Sequence, residues 1–558
     1  MFRLSAFALL ACSAAAPAHD HAHDGQAARA ATTAPAPKPL GAALAPLPDD
    51  QAAMRAHVLF LASDALKGRE AGTPEYDIAA QYVASQFSAA GLRPGGDGGT
   101  YLQRVPLVGY KLDGRGEASW TPRGGRAQPL VFGEDFIPAP NGARAATDVT
   151  APVVFAGWGV HAPHNGHDDF KGVDVRGKIV AVFAGAPARF NGEERAFFGS
   201  PGTKVAAAAA RGAVGVVTID SPQAAQRRPF SALAAAADRP RVSWARPDGS
   251  AKVDAPGTPA LGTLSVSGAA KLFGARWAAV QTLAADPNAR YAPFQAEGAM
   301  TVRIRTAFQP IRSSNVVGLI PGADPKLRDE VVVLSAHLDH IGVSPNGEGD
   351  RINNGAMDNA TGIASLIEEA KRFKAAKPPR RTVMFLAVTA EEKGLVGADY
   401  FVHNPTVPIG GIVADVNLDM PILTYPFQDL IVFGAERSTL GPIVRRAAAA
   451  QGVGIMPDPI PEQGIFVRSD HFRFVQKGVP SVFLWPGQGG PGKAAYDEFF
   501  ARHYHQPSDE ATLIDWKQGP RFVALNYAIA REIADADQRP VWNRGDYFGT
   551  QFKGRMAR

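Results

Sequence analysis

The second half of the chain alternates between continuous apolar strands and helical segments, and this alternation limits the fold to few classes. The apolar runs are residues 316–320, 331–335, 382–389, 412–418, 430–433 and 481–485. The helical patterns are residues 362–375, 394–402, 440–451 and 521–535. Apolar strands without polar alternation are buried on both faces, as in sheets covered by crossover helices. We therefore predict an α/β fold with a mixed, mostly parallel sheet between helices.

Acidic and histidine residues stand where these strands end or where helices begin. They are His337, Asp358, Glu391, Glu392, Asp419 and His505. An α/β sheet gathers its functional groups at such positions. The set contains the ligand types that zinc prefers, with one further carboxylate for acid–base chemistry.

Each of these residues also has a purely structural interpretation. Asp358 precedes a predicted helix and is suited to cap it. Glu391 and Glu392 follow an apolar strand, where a helix dipole would stabilise them, although adjacent carboxylates also favour a cation.

Residues two apart in an extended segment point the same way. Asp339 is therefore expected to lie beside His337 and to fix its tautomer.

The combination of motifs resembles a known family. His337-x-Asp339, Asp358–Gly362, Glu391-Glu392, Asn417–Met420 and Tyr504-His505 follow the order and spacing of the co-catalytic dizinc aminopeptidases, a family that includes glutamate carboxypeptidases and glutaminyl cyclases. The resemblance implies two zinc ions, one held by His337 and Asp419 and the other by Glu392 and His505. It also implies that Asp358 bridges them, that Glu391 is the general base, and that Asp470 and His471 support the site from behind. Tyr504 is a candidate donor to the oxyanion.

The chain divides into segments of different character. Residues 169–180 and 212–215 resemble a protease-associated domain inserted into the peptidase domain. We predict an export signal at 1–18, a disordered linker at 19–47, the peptidase domain at 48–145 and 301–540, a β-rich α+β insert at 146–300, and a C-terminal tail at 541–558. The only cysteine, Cys12, lies in the signal within a sequence that loosely resembles a lipoprotein box, but cleavage after Ala18 is favoured.

Several classes of protein are disfavoured. The net charge of +5 is scattered and no Lys/Arg block is present, so nucleic acid is not an expected partner. No apolar run beyond the N-terminus is long enough to span a bilayer. Residues 487–493 nearly spell a phosphate-binding loop, but Ala494 replaces the required hydroxyl and Pro491 removes a backbone donor. We interpret them as a flexible glycine loop beside the metal site.

These observations predict an exported, periplasmic or secreted, zinc exopeptidase that acts on peptides. An aminopeptidase that removes neutral N-terminal residues is favoured, because an acidic ligand cluster attracts a free α-amino group. The alternatives are a carboxypeptidase or dipeptidase of the same family, and a non-catalytic peptide-binding protein. A carboxypeptidase requires a cation for the substrate carboxylate, for which Arg351, Lys393 and Arg468 are the candidates.

Overall fold

The computed structural model describes residues 45–221, 229–284 and 286–558. The predicted export signal, Cys12 and residues 19–44 of the predicted linker lie outside the described residues. The described chain forms two compact units. One unit comprises residues 108–310 and 460–467, and the other comprises residues 45–107, 311–459 and 468–558.

The second unit is built on a mixed sheet, whose described strands include the following eight. In spatial order these are Arg93–Pro94, the last part of Phe294–Ile320, Thr382–Val388, Val331–His337, Ile412–Asn417, Ser481–Pro486, Asp429–Phe433 and Gly454–Met456. The four central strands, from Thr382–Val388 to Ser481–Pro486, run parallel. The α/β class predicted from the apolar runs is therefore confirmed.

Helices pack against both faces of this sheet, because successive side chains of a strand point to opposite faces. Leu386 lies in a buried cluster with Phe401 and Phe474 from two helices. Its neighbour Phe385 contacts Phe87 and Phe373 on the other face. The helices of this unit are Asp49–Leu61, Pro74–Ala89, Thr361–Ala375, Val396–His403, Leu440–Ala450, His471–Val475, Gly492–Arg502, Gln518–Asp535 and Tyr547–Gln551.

The first unit has its own sheet. The strands, in spatial order, are Gln128–Pro129, Glu117–Pro122, the first part of Phe294–Ile320, Ala146–Phe155, Ile179–Phe183, Gly215–Ile219, Ala260–Leu264 and Phe136–Pro138. The helices are Gly192–Gly199, Pro201–Ala209, Phe230–Ala235, Val266–Phe273 and Ala275–Leu283. The long strand Leu102–Leu112 begins in the other unit. Shorter strands are Arg241–Trp244 and the pair His161–Ala162 and His167–Asp168. Strands and helices therefore both contribute to this unit, as the α+β prediction requires.

The end of the chain differs from the predicted tail. Trp542 and Phe548 are buried, and the Trp542 indole donates a hydrogen bond to the carbonyl of Gly478 at 2.8 Å. Burial of two large aromatic side chains explains why residues 541–558 pack as part of the unit. Among the described residues, no helix has the length and apolar character needed to cross a membrane.

Candidate metal centre

Three parallel strands deliver the first functional residues to one edge of the sheet. Val331–His337 lies between Thr382–Val388 and Ile412–Asn417 in parallel register. Their carboxyl ends therefore meet at the same edge. His337 is the last residue of its strand, Glu391 and Glu392 follow the second strand by three and four residues, and Asp419 follows the third by two.

The structure brings the five predicted ligands together in two groups that share Asp358. His337 Nε2 lies 3.0 Å from Asp419 Oδ1 and 3.2 Å from Asp358 Oδ1. His505 Nε2 lies 3.2 Å from the other oxygen, Asp358 Oδ2, and 3.4 Å from Glu392 Oε2. One carboxylate thus faces both histidines, as a bridging ligand must.

The electrostatics of the site favour a cation. Burial raises the pKa of the Asp358 carboxyl, but hydrogen bonds from His337 and His505 outweigh burial and hold that pKa well below its usual range. Burial likewise opposes ionisation of Glu392, yet the nearby histidines lower its pKa to about 2. The carboxylates in turn hold the pKa of the buried His337 imidazole well above its usual range, against the effect of desolvation.

Glu391 differs electrostatically from the ligand set. Burial raises the pKa of the Glu391 carboxyl well above its usual range, and Asp419 and Glu392 raise it further although His337 opposes them. A carboxyl whose proton affinity is raised beside two donor groups is suited to accept and return a proton.

Asp339 has a different role from the one expected. The Nδ1 atom of His337 lies 3.1 Å from the backbone carbonyl of Asp339, so that carbonyl, not the carboxylate, orients the imidazole. The strand ends at His337, and the alternation that would place the Asp339 side chain beside it no longer applies. The Asp339 carboxylate instead accepts hydrogen bonds from the backbone N–H of Glu391 at 3.0 Å and of Glu392 at 3.4 Å. It positions the acidic pair.

One acidic residue, Asp509, and one amide residue, Asn359, hold the loop that carries Asp358. The Asp509 carboxylate accepts hydrogen bonds from the backbone N–H groups of Met357 and Asp358, at 2.9 and 3.0 Å. Asn359 donates to the carbonyl of Leu418 at 2.9 Å and accepts from the N–H of Met420 at 3.0 Å. The loop that carries Asp358 and the Asp419 segment are thereby fixed to each other.

A buried chain of hydrogen bonds stands behind Asp419. Ser469 Oγ donates to Asp419 Oδ2 at 2.5 Å, and the Trp485 indole donates to the Asp419 carbonyl at 2.9 Å. Asn417 donates to Ser469 at 2.7 Å. Asp470 is fully buried next to Ser469, and its desolvated carboxyl has a pKa well above the usual range. These contacts orient the Asp419 carboxylate. The supporting role that the resemblance implies for Asp470 and His471 stays a prediction, and both side chains are fully buried.

The sequence motifs do not reveal the contribution of Arg69. This guanidinium is 1% exposed and donates hydrogen bonds to four backbone carbonyls. The acceptors are Leu61, Leu338, Asn354 and Gly355, at distances of 2.5–3.0 Å. Arg69 thereby joins the segment after His337 to the loop before Asp358. No local sequence signal marks it, because the carbonyls it joins lie up to 286 positions away.

Several residues of the site have left-handed backbone conformations. Ala390, Met420 and His505 have φ angles of 53°, 46° and 56°, and each is a ligand or adjoins a predicted site residue. Non-glycine residues rarely adopt this conformation, which is concentrated at functional sites held by their surroundings. The surrounding hydrogen bonds of the loops account for its presence here.

The three cations considered for a substrate carboxylate are placed differently. Arg351 is exposed and its guanidinium reaches only the Pro345 carbonyl at 3.5 Å. Lys393 forms an ion pair with Glu70 at 2.6 Å. Arg468 is half-buried, and its charge lowers the pKa of the Tyr504 phenol, which burial and the site carboxylates hold well above its usual range. Tyr504 itself stacks on His505 with ring centroids 3.9 Å apart.

The glycine loop at 487–493 forms hydrogen bonds with Asp429. The Asp429 carboxylate accepts the N–H of Gly489 at 3.1 Å, and the Asp429 carbonyl accepts the N–H of Gly487 at 2.6 Å. A Cβ atom at Gly487 would lie 2.1 Å from Asp429 Oδ1. The loop therefore binds a carboxylate of its own unit, which leaves no reason to assign it to phosphate.

The donor spacing provides a test of whether zinc fits. Tetrahedral zinc with bonds of about 2.0–2.1 Å separates its ligand atoms by roughly 3.3 Å. The four donor pairs described above are separated by 3.0–3.4 Å. Nitrogen and carboxylate donors of this kind suit zinc, and the residues present therefore fit this metal.

An α/β sheet that carries such a site is typical of metal-dependent hydrolases. Residues 315–530, which contain all five predicted ligands and Glu391, match peptidase family M28, and residues 149–257 match the PA domain. The chain therefore carries a segment similar to M28 peptidases and, before it in the sequence, a segment similar to PA domains. The resemblance inferred from the motifs is confirmed.

Curated relatives agree with this assignment. The chain is 26% identical over 237 residues to "Aminopeptidase YwaD" of Bacillus subtilis, which covers 42% of this chain and 48% of that protein. It is 29% identical over 260 residues to the "probable leucine aminopeptidase 2" of Aspergillus oryzae, and the match covers 41% of this chain and 46% of that protein. It is 28% identical over 263 residues to a "Probable zinc metalloprotease" of Pyricularia oryzae, and this match covers 41% of this chain and 51% of that protein. The chain thus spans about half the length of these relatives.

Proposed function

We propose that the protein is an exported, zinc-dependent aminopeptidase that removes neutral N-terminal residues from peptides. The observation that carries the proposal is the shared carboxylate of Asp358, which faces both histidines while Glu391 stands beside the two donor groups. His337, Asp419 and Asp358 would hold one zinc ion, and Glu392, His505 and Asp358 the other. The names of the relatives support the same activity.

The residues of the chain divide the work of peptide hydrolysis. Bound zinc ions would supply the Lewis acidity that lowers the pKa of water toward about 7 and polarises a carbonyl. Glu391 accepts a proton from the attacking water and returns it to the leaving amine. Tyr504 remains protonated because the pKa of its phenol is raised, and it is positioned beside His505 to donate to the developing oxyanion. Asp339 holds Glu391 through its backbone.

The charges of the site favour an amine over a carboxylate on the substrate. Glu391 carries a carboxyl group that is not among the proposed ligands, so it is available to a substrate α-amino group. Of the three cations considered for a carboxypeptidase, Arg351 is exposed and Lys393 is already paired. Arg468, which is half-buried and whose charge acts on Tyr504, is the remaining candidate to bind a substrate carboxylate. The carboxypeptidase alternative is therefore included in the substrate test.

We expect rapid release of p-nitroaniline from leucine p-nitroanilide and no release from its N-acetyl form. The free α-amino group is cationic near neutrality and is attracted to the carboxylates, whereas acetylation removes that charge. An N-blocked dipeptide with a free carboxylate is the third substrate, assayed at the same zinc concentration. Preferred cleavage of this third substrate would assign a carboxypeptidase instead, and a metal-loaded protein that cleaves none of the three would support a binding function.

The PA-containing unit can be removed to test whether the peptidase unit is self-sufficient. The backbone N–H of Asp113 donates to the carbonyl of Arg305 at 3.0 Å, so the two ends of the segment 114–304 are adjacent. Replacing this segment with a short glycine-containing linker is expected to preserve zinc binding and hydrolysis of leucine p-nitroanilide, because no predicted ligand lies in it. Activity toward long peptides is expected to change. Loss of zinc from a soluble, folded deletion variant would show that the insert helps to form the site.

Export remains a proposal that rests on residues 1–18 alone. The positive Arg3, the apolar segment and Ala16-Pro17-Ala18 are typical of a cleaved signal. N-terminal sequencing of the protein recovered from an exporting bacterial host is expected to begin after Ala18. A lipid-modified N-terminus at Cys12 would assign the protein to the membrane-anchored class instead.

A further inference from the structure

His340 lies inside the metal centre although it is not among the ligands that the motifs assign. Its side chain is fully buried, and its Nδ1 atom lies 2.8 Å from Glu392 Oε1. Its ring meets the His505 ring edge to face, with centroids 5.7 Å apart. Its Nε2 atom is buried and has no hydrogen-bond partner among the described residues. His340 therefore contacts Glu392 and His505, the two residues assigned to the second ion alone.

The backbone around His340 holds the ring against the loop that carries Asp358. The N–H of His340 donates to the carbonyl of Arg69 at 3.3 Å. On the other side Gly355 packs directly against the imidazole, since a Cβ atom at this position would lie 2.6 Å from His340 Cδ2. Gly355 also has a φ of +60°, which favours glycine. The imidazole is thus confined in one position.

Distances distinguish a metal ligand from a hydrogen-bonding neighbour. The four proposed ligand pairs are 3.0–3.4 Å apart, near the value of roughly 3.3 Å expected for ligands of one zinc ion. His340 Nδ1 is closer than this to Glu392, at 2.8 Å, and farther than this from Asp358 Oδ2, at 4.0 Å. A separation of 2.8 Å is normal for an N–H donor and a carboxylate. His340, Asp358 and Glu392 do place their donor atoms within 4.8 Å of one another, as a metal site requires. The 2.8 Å separation is nevertheless short for two ligands of one zinc ion, so His340 fits a hydrogen bond to Glu392 better than coordination.

We propose that His340 is a positioning residue that donates its Nδ1–H to Glu392 Oε1 and thereby directs Oε2 toward the ion shared with His505. This inference rests on the proposed metal centre. Carboxylate ligands need such outer partners, whose loss typically weakens metal affinity about 10–100-fold. Because Glu392 belongs to one donor group only, His340 strengthens the binding of one ion and leaves the ion at His337 and Asp419 unaffected.

The test compares His340→Leu with His340→Asn. The full-length variants are stripped of metal, and zinc binding is titrated against a chromophoric competing chelator. Leu removes the donor, whereas the Asn amide nitrogen lies near the position of Nδ1 and retains it. We expect two tight ions in the parent protein, one ion weakened about 10–100-fold in His340→Leu, and near-parental binding of both ions in His340→Asn. His403→Leu, whose imidazole contacts Asp399 of its own helix, is the control for loss of a histidine.

Each result has a separate meaning. Equal weakening in the Leu and Asn variants would make His340 a direct ligand and overturn the positioning role. Parental affinity for both ions in His340→Leu would show that the hydrogen bond does not affect the metal. Circular dichroism of the metal-free variants checks the fold, and His340→Asn keeps the test decisive where Leu fails to fold. A parent protein that binds no zinc would contradict the proposed function itself.

Discussion

Replacing Glu391 with Gln is expected to leave both metal ions bound while lowering kcat about 10²–10⁴-fold. Glu391 is absent from the two groups of side chains whose ligand atoms converge, so its loss removes no proposed ligand. The amide has the same size, and the backbone N–H that donates to Asp339 is retained. What the variant lacks is a carboxylate that can take a proton from water. The measurement is kcat on leucine p-nitroanilide together with zinc content.

A matched substitution separates this effect from a general loss of charge. Glu436→Gln changes the same chemical group at an exposed position, where the carboxylate forms an ion pair with the exposed Arg445. Its turnover is expected to equal that of the parent protein, because surface ion pairs contribute little. Near-parental turnover of Glu391→Gln with both ions present would eliminate Glu391 as the general base.

The fold could be predicted because its buried strands are recognisable in the sequence as continuous apolar runs. The apolar runs at 331–335, 382–389 and 412–418 lie within two residues of the observed strands. Strands buried on both faces tolerate few polar residues, so their limits are visible in the sequence. The helix Gly492–Arg502 was missed, because the preceding glycine-rich loop obscures its beginning.

The side chains that the structure brings together could be predicted from their positions, but the residues that support them could not. His337, Glu391, Glu392 and Asp419 follow strand ends, which the parallel register then brings to one edge. His340 is only three residues beyond His337, and its position gives no sign that it turns toward Glu392. The contribution of Arg69 is even harder to predict, because its backbone acceptors lie in three separate segments of the chain. Such contacts depend on the tertiary arrangement of loops.

The contact that orients the His337 imidazole shows that the alternation of side chains predicts neighbours only within a strand. The alternation of side chains predicted that the Asp339 carboxylate would hold the imidazole, and the structure assigns that role to the Asp339 carbonyl. The rule holds within a strand, but this strand ends at His337. Residues beyond a strand end follow the loop, and at this edge the loop turns the carboxylate toward the N–H groups of Glu391 and Glu392.

The second large effect is expected from Asp358→Ala, which should remove both zinc ions and with them all hydrolysis. The two oxygens of Asp358 face different histidines, Oδ1 toward His337 and Oδ2 toward His505, each at 3.2 Å. Truncation leaves each ion with two protein ligands in place of three, and a catalytic zinc site needs three. It also removes the negative charge that offsets two adjacent cations. The measurement is the zinc content per chain of the dialysed Asp358→Ala variant, determined by elemental analysis.

Single-ligand variants show whether the two ions are lost together because of the bridge. Asp419→Ala and Glu392→Ala each belong to one donor group, so each is expected to lose one ion and retain the other. Asp497→Ala, an exposed aspartate paired with Lys493, is expected to keep both. If Asp358→Ala is folded and retains one tightly bound zinc per chain, Asp358 serves a single ion. The loss of both ions from Asp358→Ala, beside the loss of one from each single-ligand variant, is the pattern that only a shared carboxylate produces.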